Sequence, residues 1–241
     1  MCYVETGDLA LVQLAARNNA EWCDAVCRTH GVIGTFHPDV WASGVRTPEL
    51  YPDAVALHQS LSVERVLSYV DDSSGCSIKD SFGVMDLRFA AFRVLFEAEW
   101  IYLDSHWRPR ERKTRLRWAV VKNASALKIW ETAWAGDSVV AGIFLPDILR
   151  HPTVLILGGY VGDRVLAGGV INWSESVIGL SNVFAVTGDL GESYAGCLTA
   201  AVDRLPALPI VGYEAGDALV AAHQLGFRSV GRLSIWVKEI D

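Results

Sequence analysis

The stretch SNVFAVTGDLGESYAGCLTAA, Ser181 to Ala201, joins an apolar run of strand character to a glycine turn and a small-residue helix. In that order a chain can cradle a phosphate, because the turn amides and the positive end of the helix face the ligand. This turn, however, carries Asp189 and Glu192 and neither Lys nor Arg. Acids at a helix start also have a plainer use as caps. A second chemically loaded stretch is RPRERKTRLR, Arg108 to Arg117, with five Arg and one Lys against a single Glu. It reads as a solvated linker or, flanked by Trp107 and Trp118, as a grip on the phosphates of a nucleic acid or carrier. Cys23, Cys27 and His30 fall at i, i+4 and i+7 on one helix face, where they could ligate zinc. No fourth ligand is evident and cysteines on a core face are commoner, so no metal is expected.

The bulk properties narrow the class. The 241 residues are 51% hydrophobic and 20% charged, enough for one large domain or two small ones. The net charge of −7 disfavours broad nucleic-acid binding, leaving only a local patch for it. Five cysteines, an odd number in a chain this long, indicate free thiols rather than a disulfide framework. No apolar run reaches the roughly 18 residues of a membrane span and the N-terminus lacks a basic-then-apolar leader, so a cytoplasmic protein without membrane partners is expected.

The elements that must position these groups follow from periodicity. Asp8 and Asn19 each read as the cap of a helix, LALVQLAARNN and AEWCDAVCRTH, with Gly31 as the stop. DAVAL reads as a strand, SVERVLSYV as a helix begun by Ser62, CSIKDSF as a strand, GVMDLRFAAF as a helix and FRVLFEAEWIYLD as a long strand. Beyond the basic segment come the helix ASALKIWETAWAG and three strands turning at Gly162-Asp163 and Ser174-Glu175. The helix from about Gly191 to Arg204, the strand LPIVGYE, the helix GDALVAAHQLG and the strand FRSVGRLSIWVKEI close the chain. Both halves share the order strand, helix, strand, helix, strand, a weak internal repeat of roughly 100 to 120 residues. Of the nine tryptophans, Trp100, Trp118, Trp130, Trp134 and Trp236 suit the core, while Trp22, Trp41 and Trp173 could line a pocket.

From about Arg117 onward the chain resembles the GNAT acyltransferase superfamily, on the strand VIGLSNVFAV, its turn and helix, and AAHQLGFRSVGRLSIWV with its Gly226-Phe227 pair. The resemblance implies an α/β tandem fold of mixed sheets flanked by helices. Residues 1–107 would be a degenerate GNAT-like half, 108–117 a basic linker and 118–241 the better-kept domain. It implies an acyl-CoA donor whose pantetheine arm pairs with a strand that splays from its neighbour, here Ser181 to Val186 with Val183, Phe184 and Ala185. The pyrophosphate would meet the turn Thr187 to Gly191, with Gly188 and Gly191. The family's basic or amide residue at the loop entrance is absent, and Ala222 stands where many members carry an acidic Tyr.

Beside that strand, Glu214 is the candidate general base or a contact to the amine substrate, Tyr213 the replacement acid, and Asn182 a donor to the developing oxyanion. Ser181 and Trp173 are candidate contacts to a small amine acceptor, and Asp80 matches Glu214 in the first half. The expected activity is amide-forming acyl transfer. One alternative is an aminoacyl-tRNA donor held by Arg108, Arg110, Arg112, Lys113 and Arg115; another is a non-catalytic binding module. The sequence does not fix the oligomeric state.

Overall fold

The computed structural model describes residues 6–108, 114–138 and 141–239. These fall into two compact units, one running to Trp100 and taking in Ser229 onward, the other spanning Ile101–Arg228. The sequence expectation of a second domain running to residue 241 is thereby corrected, because the closing strand belongs with the first unit.

In the first unit, helix α1 (Thr6–Thr29) is one continuous helix rather than two. Asn19, expected to cap the second, is buried, and its side-chain oxygen accepts instead from Lys79 Nζ. A tertiary partner for that amide leaves the helix nothing to stop it. Strands β1 (Thr35–Phe36), β2 (Val40–Ala42) and β3 (Ala54–Ala56) precede the short helix α2 (Val63–Leu67), which Ser62 caps as expected through a bond from Arg65 N–H. Strand β4 (Ser77–Asp80) and the long β5 (Phe92–Leu103) follow. The helix expected at GVMDLRFAAF is a single 3-10 turn, Arg88–Ala90. Asp80 prevents more, since its carboxylate draws the amides of Phe82, Gly83 and Met85 into a loop. The sheet order is β1-β2-β3-β4-β11-β5, with β3 parallel to β4 and β11 (Arg228–Lys238) antiparallel to it, Ser234 to Val237 facing Asp80 to Ser77.

The second unit holds the last residues of β5, then β6 (Arg117–Val120), which the sequence reading missed, and helix α3 (Ala124–Ala135), capped by Asn123. Strands β7 (Val154–Val161), β8 (Arg164–Trp173) and β9 (Ile178–Ala185) lead to α4 (Leu190–Val202), β10 (Ile210–Glu214) and α5 (Gly216–Gln224). The order is β5-β10-β9-β8-β7-β6; β6 to β9 are antiparallel and β9 to β10 parallel. The adjacent glycines of β8 explain how helices cover both faces. A Cβ on Gly168 would fall 2.4 Å from the Trp130 indole on one face, and a Cβ on Gly169 would fall 2.7 Å from Cys197 Sγ on the other. Trp130 is fully buried, donates to Leu157 O and meets Phe144 and Phe184 edge-on. After α5, Gly226 takes φ +102° and Phe227 N–H returns to Ala222 O, so the Gly-Phe pair is a left-handed helix stop with an apolar anchor. No helix among the described residues is long and apolar enough to cross a membrane.

Candidate active site at the open end of a parallel strand pair

The parallel pairing of β9 with β10 is confined to Ile178 opposite Ile210 and Gly179 opposite Val211. A Cβ on Gly212 would still touch Leu180 O, at 2.6 Å, after which the register ends. On its other side β9 stays paired to β8 as far as Ala185, but with a bulge: Ser181 faces Val170 and Phe184 faces Gly168, so Asn182 and Val183 share Gly169. Asn182 takes φ +53°, a left-handed conformation that Asn tolerates better than most side chains. The bulge bends β9 just where its register with β10 ends, so that beyond Leu180 the two strands part and this edge of β9 has no registered β10 partner.

Glu214 ends β10 where the two strands part. Its carboxylate accepts a short hydrogen bond from the hydroxyl of Tyr194, a buried residue on α4. Burial pushes the Glu214 carboxyl up to about 7, an effect only partly offset by the Tyr194 bond. Burial, with the neighbouring carboxylate, also raises the Tyr194 phenol, which therefore stays protonated as a donor. A carboxyl poised near neutrality beside a fixed donor is suited to receiving a proton.

The turn before α4 is occupied by its own acids. Asp189 is the N-cap: its Oδ1 accepts from Gly191 N–H at 2.7 Å, and its carbonyl accepts from Glu192 and Ser193. The Glu192 carboxylate takes the hydroxyl of Thr114. From Val165 to Phe227 the single Lys or Arg is Arg204, beyond the far end of α4.

No protein-family model matches the chain, and none of the curated proteins matches it. Solved structures do. A GCN5-related N-acetyltransferase from Kribbella flavida superposes with TM-score 0.66 at 14% identity, over 94% of this chain and 96% of its own. A Drosophila protein gives 0.58 at 11%, over 96% and 90%. An acetyltransferase described as of the GNAT family, from Novosphingobium aromaticivorans, gives 0.52 at 9%, over 93% and 99%.

The chain has a GNAT-type fold.

Within that fold the expected site residues separate. Glu214 ends β10 where the strands part, and Tyr213, its neighbour on the same strand, falls on the opposite face by strand alternation. The phenol beside Glu214 is Tyr194, which the sequence reading overlooked. Its signal was its place on the inward stripe of α4, with Cys197, Leu198 and Ala201. Asn182 forms the bulge, Phe184 is buried against Trp130, and Val183 packs on the core beneath α4. Ala185 ends β9, and Gly188, at φ +114°, carries the turn. Ser181 Oγ is buried without a hydrogen-bond partner at the mouth of the bulge. Trp173 faces Ile178 at the other end of β9, about 17 Å along the strand from Val183, and is not where the strands part.

Trp22 and Trp41 are core residues rather than pocket walls, and Asp80 is a loop organiser. Cys23 and Cys27 are buried with thiols pushed upward by burial, and no group of metal ligands occurs among the described residues. In the basic segment, Arg108 donates to the carbonyls of Ser105 and Trp107, and Arg115 is exposed. Arg110, Arg112 and Lys113 lie outside the described residues. A cavity of about 710 Å³ between α4 and the end of α5, lined by Trp107, Arg108, Trp118, Glu192, Gly196 and Leu225, does not include Glu214 or β9.

The acyl-CoA that the fold implies meets these residues unequally. The unpaired edge of β9 suits the amide-bearing arm. The head of α4 does not suit the diphosphate, because Asp189 holds the Gly191 amide and two carboxylates stand there. Like unit charges about 4 Å apart repel by roughly 1 to 4 kcal/mol, depending on the local dielectric.

Proposed function

We propose that this chain is an amide-forming N-acyltransferase that acts on a small amine in the cleft between β9 and β10. The observation that carries the reading is Glu214, fixed by Tyr194 at the point where the two strands part. The donor is an activated acyl thioester, which supplies a carbonyl that an amine can attack without further activation. Its arm lies along the edge of Leu180 to Ala185. Glu214 takes one proton from the acceptor's ammonium, and Tyr194 holds the carboxylate toward it. The freed amine forms the C–N bond as the C–S bond breaks, and the departing thiolate takes up the second proton that the nitrogen sheds, leaving a neutral amide and a free thiol. Holding the two reactants in one cleft supplies much of the rate.

The test is release of free thiol from acetyl thioesters in the presence of a panel of primary amines. Wild-type turnover should rise with pH through about 7, as the base loses its proton. Glu214→Gln should lower kcat/KM by roughly 10²- to 10⁴-fold, the usual worth of a positioned base. Equal turnover by that variant would remove Glu214 from the mechanism, and no amine-dependent thiol release from any thioester would remove the activity.

A further inference from the structure

We infer that the cleft recognises its donor by the acyl-bearing arm alone, so that affinity for the thioester does not depend on a nucleotide diphosphate. This rests on the acyltransferase reading above and narrows its donor class to thioesters with a neutral, amide-bearing arm. Three observations carry it. The first is the occupied head of α4. A diphosphate bound at a helix start needs amides aimed at it, but Asp189 already takes those of Gly191, Glu192 and Ser193 with its carboxylate and carbonyl.

The second is charge. Asp189 and Glu192 stand in the first turn of α4 and Asp217 in that of α5, the two helices that start beside the cleft. Arg204 lies about 20 Å along the helix from Asp189 and is bonded to Ala200 O. Arg117 lies over the Tyr160 ring. Among the described residues of the basic segment, Arg115 is exposed next to the Thr114 that binds Glu192, and Arg108 donates to the carbonyls of Ser105 and Trp107. The third is the edge of β9, out of register with β10 beyond Leu180 and bent by the Asn182 bulge. Strand edges bind extended amides through the main chain and require no charge from the ligand.

Isothermal titration of the full chain with acetyl-CoA and with acetyl-pantetheine, which shares the arm but lacks the nucleotide, decides the matter. Both should bind the wild type with Kd values within about threefold of each other. Asp189→Asn with Glu192→Gln keeps the cap and the Thr114 contact while removing both charges, since Asn caps helices as well as Asp. That variant should bind acetyl-CoA about tenfold more tightly and leave acetyl-pantetheine within about twofold, a tenfold change corresponding to about 1.4 kcal/mol. Acetyl-CoA binding the wild type more than tenfold tighter than acetyl-pantetheine overturns the inference and leaves the acyltransferase reading standing. No gain for acetyl-CoA in the variant overturns it equally. Binding of neither thioester overturns both.

Discussion

Glu214 costs the folded chain stability whenever it is ionised. Its carboxyl rises from the ordinary 4.5 to about 7 on folding, so the folded state binds its proton more tightly than the unfolded state does. Stability from this group is therefore full below about pH 4.5 and is lost as pH rises through 7, a difference on the order of 3 kcal/mol. Glu214→Gln should be as stable as wild type at pH 4.5 and more stable at pH 8, which urea unfolding at the two pH values will show. A wild type that gains stability from pH 4.5 to 8 relative to the variant would contradict the buried-acid reading. Tyr194→Phe removes the one bond that pulls Glu214 down, so the carboxyl should titrate higher still, as read from its ¹³C shift. The position of Glu214 at the end of a strand was legible. Its partner was not, because Tyr213 lies closer in sequence and only the alternation of faces along β10 sends it away.

At the scale of elements, close approach decides more than propensity. Gly168 in β8 has Trp130 on one side and Leu157 O at 2.8 Å from where a Cβ would sit. Strand propensity alone would tolerate Ala there. Overpacking against a buried indole and a backbone oxygen should instead cost about 2 to 3 kcal/mol in denaturant unfolding. A Gly168→Ala chain within 0.5 kcal/mol of wild type, about the scatter of neutral surface changes, would mean that α3 yields easily. The strands β7 to β9 and helices α3 to α5 were readable because long apolar periods and turn pairs such as Gly162-Asp163 mark them. The 3-10 turn at Arg88 was not, because the amides that would have continued a helix are spent on Asp80, a residue whose role appears only in three dimensions. Asn19 likewise reads as a cap until Lys79, sixty residues away, claims it.

For the whole molecule, the assignment of the closing strand matters most. The domain boundary expected from sequence left 118–241 together, since periodicity reports where a strand is and not which sheet receives it. In the structure, β11 lies against β4, and Lys238 and Glu239 bond to Cys76 O, Gly75 N–H and Ala91 O. Removing Ser229 to Asp241 should therefore strip hydrogen-exchange protection from Ser77 to Asp80 in the first unit. Protection lost chiefly in β7 to β9 instead would refute this division of the chain.

A strand that arrives so late also sets a schedule. On the ribosome, the first unit has made its own strands while the partner of β4 is still some 130 residues away, a wait of roughly 6 to 25 s at ordinary synthesis rates. Through that interval the edge of Ser77 to Asp80 is open to any passing strand, including that of a neighbouring nascent copy. The emerging second unit is thus both cargo and delay, and a chain stalled between Ile101 and Arg228 should be a ready client for holding chaperones.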